Sequence, residues 1–321
     1  MAVYTEVPND EVESFLTEYD IGEVLSLKGI AEGVENSNYI LHTTTGHYIL
    51  TLYEKRVEKA DLPFFLGYMQ HLANNGISCP VPVAGKDGNN LRELCGRPAA
   101  ITTFLDGMWP RRIQPFHCRA LGKTMAEMHL AGQDFAIQRP NALSVKGWKE
   151  VLDACEGKGD QVKAGLTSIL NKEYEFLEKH WPTNLPKGVI HADMFQDNVF
   201  FIHEKLSGVI DFYFACNDIL AYELAICLNA WCFEQDNSFN ITKAQLMLRA
   251  YQEVRPLNDE ELNALPILAR GASLRFLLTR LYDWVNHPEG AFVKPKDPIE
   301  YLNKLKFHQS VKSISDYGIT L

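Results

Sequence analysis

The 321-residue sequence predicts an α+β fold of two lobes, with an antiparallel sheet in a β-rich N-terminal lobe and a mainly helical C-terminal lobe. Short β-rich runs separated by turns occupy residues 24–53 and return at 98–104. Further along the chain, apolar side chains recur mostly at helical spacing. The turn Leu105-Asp106-Gly107 separates the two patterns, so we expect an N-lobe of residues 1–104 and a C-lobe of residues 105–321.

Periodicity and turn residues predict the elements of the N-lobe. A short helix over 10–19 has its apolar side chains at helical spacing. A second helix begins at Asp61-Leu62-Pro63, because a proline in the first turn of a helix loses no hydrogen bond, and ends at Asn74-Asn75-Gly76. The strands are expected at residues 24–28, 37–43, 47–53 and 98–104.

The C-lobe is expected to be a set of helices interrupted by one β-hairpin. Two apolar strands, 199–202 and 208–210, flank the polar turn from His203 to Ser207. Proline lacks the amide hydrogen that a helix interior needs, so Pro266 should break or kink the last helix. The helices are predicted at residues 120–131, 162–180, 219–233, 244–254 and 258–284.

The predicted hairpin carries the residues that point most strongly to chemistry. The stretch His191-Ala192-Asp193-Met194-Phe195-Gln196-Asp197-Asn198 precedes it, and Val209-Ile210-Asp211-Phe212 ends it. Phosphoryl transfer to a hydroxyl needs a carboxylate to accept the proton and oxygen ligands for the metal that bridges the nucleotide phosphates. In this spacing Asp193 is the candidate base, and Asn198 and Asp211 are candidate Mg²⁺ ligands.

Any one of these carboxylates, taken alone, is more often part of an ordinary turn or strand end. The three chemically matched positions, each beside an apolar strand, together favour a kinase with ATP as co-substrate.

A nucleotide would need backbone amides near its phosphates and an apolar slot for its base. The turn from Gly29 to Asn38 lies between two predicted strands and offers Gly33, Asn36 and Ser37, although a plain hairpin loop fits this turn about as well. The base is expected against the connector between the lobes, at Thr102, Thr103 and Phe104, for which a plain interlobe strand is the alternative.

One lysine typical of kinases is missing from the sequence, and another lysine lies in a sequence that only resembles a phosphate-binding motif. The strand position at which many kinases carry a phosphate-binding lysine holds Thr51, and the nearest cations are Lys55 and Arg56. Gly122-Lys123-Thr124 resembles the end of a P-loop, but His117 stands where that motif requires glycine, so we assign it no function.

Composition limits the partners and the compartment. With 31 Lys and Arg against 41 Asp and Glu, the net charge of −10 argues against nucleic acid and anionic membranes and favours a small substrate. The acidic first ten residues lack the features of a secretory signal, and no membrane span is evident. Seven cysteines without Cys-x-x-Cys spacing indicate thiols in a reducing cytoplasm.

The motif residues resemble the aminoglycoside phosphotransferase and choline kinase superfamily, which has a protein-kinase-like fold. His191-x-Asp193, Asn198 and Ile210-Asp211-Phe212 carry the resemblance, and protein kinases fit less well because Ala192 and Tyr213 replace their Arg and Gly. Within the superfamily the chain is similar to bacterial homoserine kinases along most of its length. The similar segments are 48–56, 61–65, 209–218, 229–233 and 274–276.

This resemblance implies that ATP phosphorylates the side-chain hydroxyl of L-homoserine, a step of threonine biosynthesis. An amino-acid acceptor needs a cation for its carboxylate and an anion for its ammonium group. Candidate acceptor contacts are Asp218, Trp231, Arg275 and Arg280, each of which has an ordinary core or ion-pair role as its alternative. A kinase of an aminoglycoside, a choline-like amine or a sugar, and an inactive nucleotide-binding regulator, remain open.

Overall fold

An antiparallel five-stranded sheet forms the first lobe in the computed structural model, which describes residues 5–30, 36–54, 57–287 and 295–319. Its strand order is β1-β2-β3-β5-β4. Side chains of a strand alternate between its two faces, and Tyr39 and Leu41 accordingly point inward from the second strand. The strands are β1 (Val24–Gly29), β2 (Ser37–Thr43), β3 (Gly46–Leu52), β4 (Arg92–Leu94) and β5 (Arg97–Thr103).

Two helices cover this sheet. Helix α1 (Asn9–Leu16) buries Val12 and Phe15 in a small core with the inward residues of the sheet. Helix α2 (Leu62–Asn74) has a proline in its first turn, as predicted, and buries its apolar face in the large core that continues into the second lobe. The second helix therefore connects the sheet to the C-lobe.

The C-lobe consists of helices around the large core. Its longest helix begins with reciprocal bonds between Asn258 and Glu261, in which each backbone amide donates to the other side chain, at 3.1 and 2.8 Å. The helices are α3 (Pro115–Ala131), α4 (Val145–Ala154), α5 (Gly159–Val162), α6 (Leu166–His180), α7 (Leu220–Trp231), α8 (Ile241–Val254), α9 (Asp259–Val285) and α10 (Pro298–Ser310).

Two small antiparallel sheets interrupt the helices. Strand β6 (Lys187–Ile190) pairs with β9 (Cys216–Ile219), and β7 (Val199–Ile202) pairs with β8 (Lys205–Val209). The second pair is the predicted hairpin. Short 3₁₀ turns complete the lobes, at Lys59–Asp61, Gly132–Asp134, Gln196–Asn198, Phe212–Phe214 and Ile314–Tyr317.

The structure differs from the predicted elements at several places, three of which concern the bounds of predicted helices. Pro266 lies inside α9 without ending it, so the expectation of a break there is wrong. Residue 219 ends a strand and does not start a helix, because its backbone pairs with Lys187. The third helix begins at Pro115, five residues before the predicted start. Within the described ranges, no helix is both long and apolar enough to cross a membrane.

Candidate active site

The site is built on two loops that are held side by side at both ends. The first, residues 191–198, runs from the end of β6 to the start of β7, and the second, residues 210–215, runs from the end of β8 to the start of β9. Ile190 pairs with Cys216, and Val199 pairs with Val209. Because each loop is clamped by the same two sheets, polar side chains far apart in sequence converge between them.

Asp193 and Asn198 are in direct contact in the first loop. The Asn198 amide nitrogen donates to the Asp193 backbone carbonyl at 2.9 Å and to its carboxylate Oδ2 at 3.1 Å. The tight turn Gln196–Asn198 brings the amide back over Asp193, as the five-residue spacing predicts. With the amide nitrogen engaged, Oδ1 is the atom of Asn198 left to ligate a cation.

Asp211 joins them from the second loop. The Ile210 amide donates to the Asn198 carbonyl at 2.9 Å, which fixes the position of the next residue beside Asn198. Asp211 has a left-handed backbone, with φ of 65°, and its side chain is exposed while Phe212 is buried. A non-glycine residue in this region is strained, and such strain concentrates at functional sites.

His191 ties the two loops together in its neutral form. Burial lowers the pKa of the imidazole, opposed by the nearby charge of Glu223 and the bond to Ile210. Its Nε2 lies 2.9 Å from the Ile210 carbonyl, which can only accept, so Nε2 carries the hydrogen. The other ring nitrogen, Nδ1, accepts from the Asp193 amide at 3.3 Å.

Glu223 of α7 holds the start of the first loop from behind. Its carboxylate accepts from the backbone amides of His191 and Ala192, at 2.9 and 2.6 Å, and from His129 at 3.0 Å. Burial alone raises the pKa of Glu223, but the hydrogen bond and charge of His129 and the bond from the His191 backbone amide outweigh it, so the pKa is lowered. Sequence reasoning did not identify His129 as a partner of this loop, because a single histidine on the apolar face of a helix looks like an ordinary buried residue.

Trp231 and Arg275 also contact the back of this loop. Trp231 is fully buried, and its indole nitrogen donates to the Met194 carbonyl at 2.6 Å. Arg275 is 2 % exposed and donates to the Ala192 carbonyl at 2.9 Å. Both residues were expected among the acceptor contacts, and both lie under the loop as supports for its backbone.

The other two acceptor candidates lie apart from each other. Asp218 accepts from the Asn141 side chain at 2.7 Å and from the Ile219 amide at 2.7 Å, and it is partly exposed. Arg280 donates to Glu300 at 2.7 Å and thereby forms an ion pair between α9 and α10.

The donor set suits a hard divalent cation. One carboxylate and one amide oxygen are ligands that Mg²⁺ accepts, and this ion keeps waters and substrate phosphates for its remaining positions. No cluster of three His, Cys, Asp or Glu side chains able to hold a metal occurs in the described part of the chain.

The predicted phosphate loop is described only at its two ends, residues 29–30 and 36–38. Gly33 lies outside the described residues, while Asn36 and Ser37 are buried at the root of the loop. Asn36 accepts from the Glu54 amide at 3.3 Å, and the Ser37 hydroxyl donates to the Glu54 carboxylate at 2.7 Å. These contacts join the loop root to the end of β3.

The connector residues divide between sheet and solvent. Thr102 is 6 % exposed, and the Thr103 amide donates to the Val81 carbonyl at 2.9 Å, so that amide is engaged within the lobe. Phe104, the first residue beyond β5, is 42 % exposed. A base bound here would meet the backbone where it leaves the sheet.

Thr51, at the position of the absent lysine, belongs to a group of polar side chains where the two lobes meet. Its hydroxyl donates to Asn38 at 2.8 Å. The neighbouring Tyr53 hydroxyl lies 3.2 Å from that of Tyr213, which follows Asp211 by two residues. Burial raises the pKa of Tyr213 to about 12, and bonds to Tyr53 and Thr51 oppose the shift. Lys55 and Arg56 lie outside the described residues.

Known proteins share this architecture. A model of the phosphotransferase enzyme family matches residues 26–257. An amicoumacin kinase in complex with AMP-PNP, Ca²⁺ and Ami has a TM-score of 0.72 at 14% identity, covering 94% of this chain and 93% of its own. A choline kinase from Cryptosporidium parvum has a TM-score of 0.68 at 15% identity and covers 94% of both chains. At these identities the likeness shows the fold, and the two-lobed kinase-like class is confirmed.

Much closer relatives match over the full length. A homoserine kinase of Bradyrhizobium diazoefficiens is 63% identical over 320 residues, which cover 99% of this chain and 98% of that protein. A homoserine kinase of Agrobacterium fabrum is 60% identical, with 99% of both chains covered. The chain belongs to the phosphotransferase enzyme family and, within it, to the homoserine kinases.

Proposed function

We propose that the protein transfers the γ-phosphoryl group of ATP to the side-chain hydroxyl of L-homoserine, giving O-phospho-L-homoserine and ADP. The position of Asp193, Asn198 and Asp211 on two adjacent, clamped loops carries the proposal, because these residue types can provide the base and the two oxygen ligands that phosphoryl transfer needs. The full-length identity to homoserine kinases supports the choice of acceptor.

Asp193 is the proposed base. Its carboxylate orients the acceptor hydroxyl and takes its proton as the hydroxyl oxygen bonds to the γ-phosphorus. The bond between that phosphorus and the β,γ-bridging oxygen breaks, and ADP leaves with the electron pair. The amide of Asn198 holds the carboxylate in place, and Arg275, Trp231 and Glu223 fix the backbone on which it is mounted.

Asn198 and Asp211 are the proposed ligands of Mg²⁺, since an amide oxygen and a carboxylate match its preference for oxygen donors. When bound, the ion neutralises charge on the β- and γ-phosphates. The base of ATP would lie at the connector after Thr103. The loop that ends at Asn36 and Ser37 would cover the phosphates.

All seven cysteines are free thiols, six of them buried, which favours the reducing cytoplasm as the compartment.

An acceptor screen tests the proposal. The purified protein is incubated with MgATP and, separately, homoserine, choline or kanamycin, and ADP release is followed with a coupled assay. We expect homoserine alone to raise ADP release sharply and mass spectrometry to find one added phosphoryl group on it. Equal or greater release with choline or kanamycin would assign a different acceptor. No metal-dependent release with any of them would favour a nucleotide-binding regulator.

A further inference from the structure

A cavity of about 310 Å³ lies between the two lobes, beside the residues that follow Asp211. The N-lobe contributes Glu58 and Asp61, which precede α2, and Phe65 of its first turn, and the C-lobe contributes Arg139 together with Tyr213 and Phe214. Its walls are therefore partly aromatic, and among the described residues that line it the charged groups are two carboxylates and one guanidinium.

Arg139 is the central charged group of the cavity. Its Nε donates to Asp61 at 2.6 Å, and one terminal nitrogen donates to the Ala215 carbonyl at 3.1 Å. The guanidinium stacks 4.9 Å from the centre of the Phe65 ring. Bonds within the described part of the chain thus use Nε and Nη1, which leaves the Nη2 hydrogens for a ligand, and arginine suits carboxylates because its donors form a planar fork.

Asp61 places an anion beside that cation. The two side chains are 32 % and 19 % exposed, so both can meet a ligand while part of each is shielded from water. A molecule that carries a carboxylate and an ammonium group on one carbon could contact both partners at once. An isolated cation or anion would satisfy only one of them.

The cavity is also close to the reacting groups. Tyr213 and Phe214 line it, and Tyr213 is two residues from Asp211, which places their Cα atoms within roughly 8 Å of each other. Phe214 is in turn stacked near Arg275, which bonds the carbonyl just before Asp193. The cavity thus borders the segment that follows Asp211 and is linked through Arg275 to the loop that carries Asp193.

We propose that this interlobe cavity holds the zwitterionic head group of the acceptor amino acid, with Arg139 on its carboxylate, Asp61 on its ammonium group, and the aromatic walls on its methylenes. The inference rests on the proposed function and adds the residues that select an amino acid. Because Asp61 belongs to one lobe and Arg139 to the other, acceptor binding would hold the lobes together.

The test compares three acceptors that differ by one charged group. These are homoserine, 3-aminopropan-1-ol, which lacks the carboxylate, and 4-hydroxybutanoate, which lacks the ammonium group. In Arg139→Gln we expect the KM for homoserine to rise roughly 10- to 100-fold with little change in kcat, because a charge-assisted contact is lost. Activity with 3-aminopropan-1-ol should stay within about 3-fold of the parent, since it has no carboxylate for Arg139 to bind.

Asp61→Asn is the complementary variant. It should raise the KM for homoserine and for 3-aminopropan-1-ol, which carry the ammonium group, and leave the KM for 4-hydroxybutanoate unchanged. Arg270→Gln is the matched control, since Arg270 has similar exposure, 18 %, and its ion pair with Glu173 joins α9 to α6 outside the cavity. It should leave the preference among the acceptors unchanged.

The outcomes separate this inference from the proposed function. If the parent protein does not phosphorylate homoserine, the proposed function fails. If it does, but Arg139→Gln lowers kcat/KM equally for all three acceptors or for none, the ion pair is only structural and the inference fails. Should Arg139→Gln not fold, as judged by thermal denaturation, the acceptor preferences of Asp61→Asn decide the question.

Discussion

At the scale of single residues, the account depends on side chains that fix one carboxylate. Asn198 contacts Asp193 directly, and three buried side chains anchor the backbone on either side of it: Glu223, Trp231 and Arg275. A flexible base would lose the orientation that makes a bound hydroxyl reactive, and misplacement by 1 Å can cost a rate factor of roughly 100. These three side chains would therefore hold the proposed base in position although none of them needs to touch the substrate.

Sequence reasoning predicted the three residues of the proposed site but not the side chains that support their loop. Asp193, Asn198 and Asp211 stand at the spacing that phosphoryl transfer requires, and the structure brings their loops together. Trp231 and Arg275 were expected to face the acceptor. Helical spacing gives the relative positions of their side chains but does not tell which neighbouring loop each helix face meets.

Asp211→Asn should raise the Mg²⁺ concentration needed for half-maximal activity by roughly tenfold or more, because an amide oxygen is a weaker ligand than a carboxylate. Titrating Mg²⁺ at saturating ATP and acceptor measures this. An unchanged Mg²⁺ dependence in the variant would remove Asp211 from the proposed metal site.

Trp231→Phe should lower kcat roughly 10-fold while leaving the KM for ATP nearly unchanged, because the Met194 carbonyl next to the proposed base loses its bond from the indole nitrogen. Trp284→Phe is the control, since that tryptophan lies on α9 and is 43 % exposed. Steady-state kinetics of both variants check the prediction. Parent-like turnover in Trp231→Phe would mean that the indole serves the core alone.

At the scale of elements, two sheets of two short strands bring the site together. Pairing of β6 with β9 and of β7 with β8 brackets both loops. The second pair was predictable from apolar runs around a polar turn. The first was not, because β6 and β9 have four residues each and pair across 25 intervening residues, which no local pattern reports. Helix α10 was missed for a different reason, which is that its apolar stripe is weak.

The packing of α3 against α8 explains the glycine of the P-loop-like sequence. A side chain at Gly122 would collide with the Met247 backbone carbonyl, so this glycine allows the two helices to approach closely. Gly122 therefore has a packing role within helix α3.

Gly122→Ala should therefore lower the free energy of unfolding by roughly 1 to 3 kcal/mol, because the added methyl group forces the helices apart. Lys123→Ala, which changes an exposed residue of the same helix, should preserve both stability and the KM for ATP. Thermal denaturation and kinetics of the two variants measure these effects. A large rise in the KM for ATP in Lys123→Ala would revive the P-loop interpretation.

At the scale of the whole molecule, several buried histidines link stability to pH. Burial, with the charge of Lys304, lowers the pKa of His308 to about 3, and burial also lowers the pKa of His117 and His191. An unfolded histidine titrates near pH 6.5, so the unfolded chain binds more protons than the folded one below that pH. The stability that these groups contribute is present above about pH 6.5 and is lost as the pH falls.

Between pH 6.5 and pH 5, His308 alone should remove about 2 kcal/mol from the free energy of unfolding. Urea denaturation across this range measures the slope. In His308→Phe the change in the free energy of unfolding between these two pH values should be smaller by that amount, whatever the absolute stability of the variant. Glu223 does not interfere, because its lowered pKa confines its effect to more acidic conditions. Equal slopes in the parent and the variant would contradict the assignment.

The arrangement of the lobes determines what the residues can do together. A β-rich lobe, a connector and a helical lobe were predictable from the change in periodicity near residue 105. The interlobe cavity with Arg139 and Asp61 was not, because these residues are 78 positions apart and neither belongs to a recognisable motif. Such a site depends on how the lobes are packed against each other.

The turnover of Asp193→Asn tests the central claim most directly. With homoserine and saturating MgATP, we expect kcat to fall by roughly 10²- to 10⁴-fold with nucleotide affinity largely retained, since only the proton acceptor is lost. Asp197→Asn, which changes an exposed carboxylate in the same loop, should keep turnover close to that of the parent. Turnover of Asp193→Asn near the parent value would contradict the account.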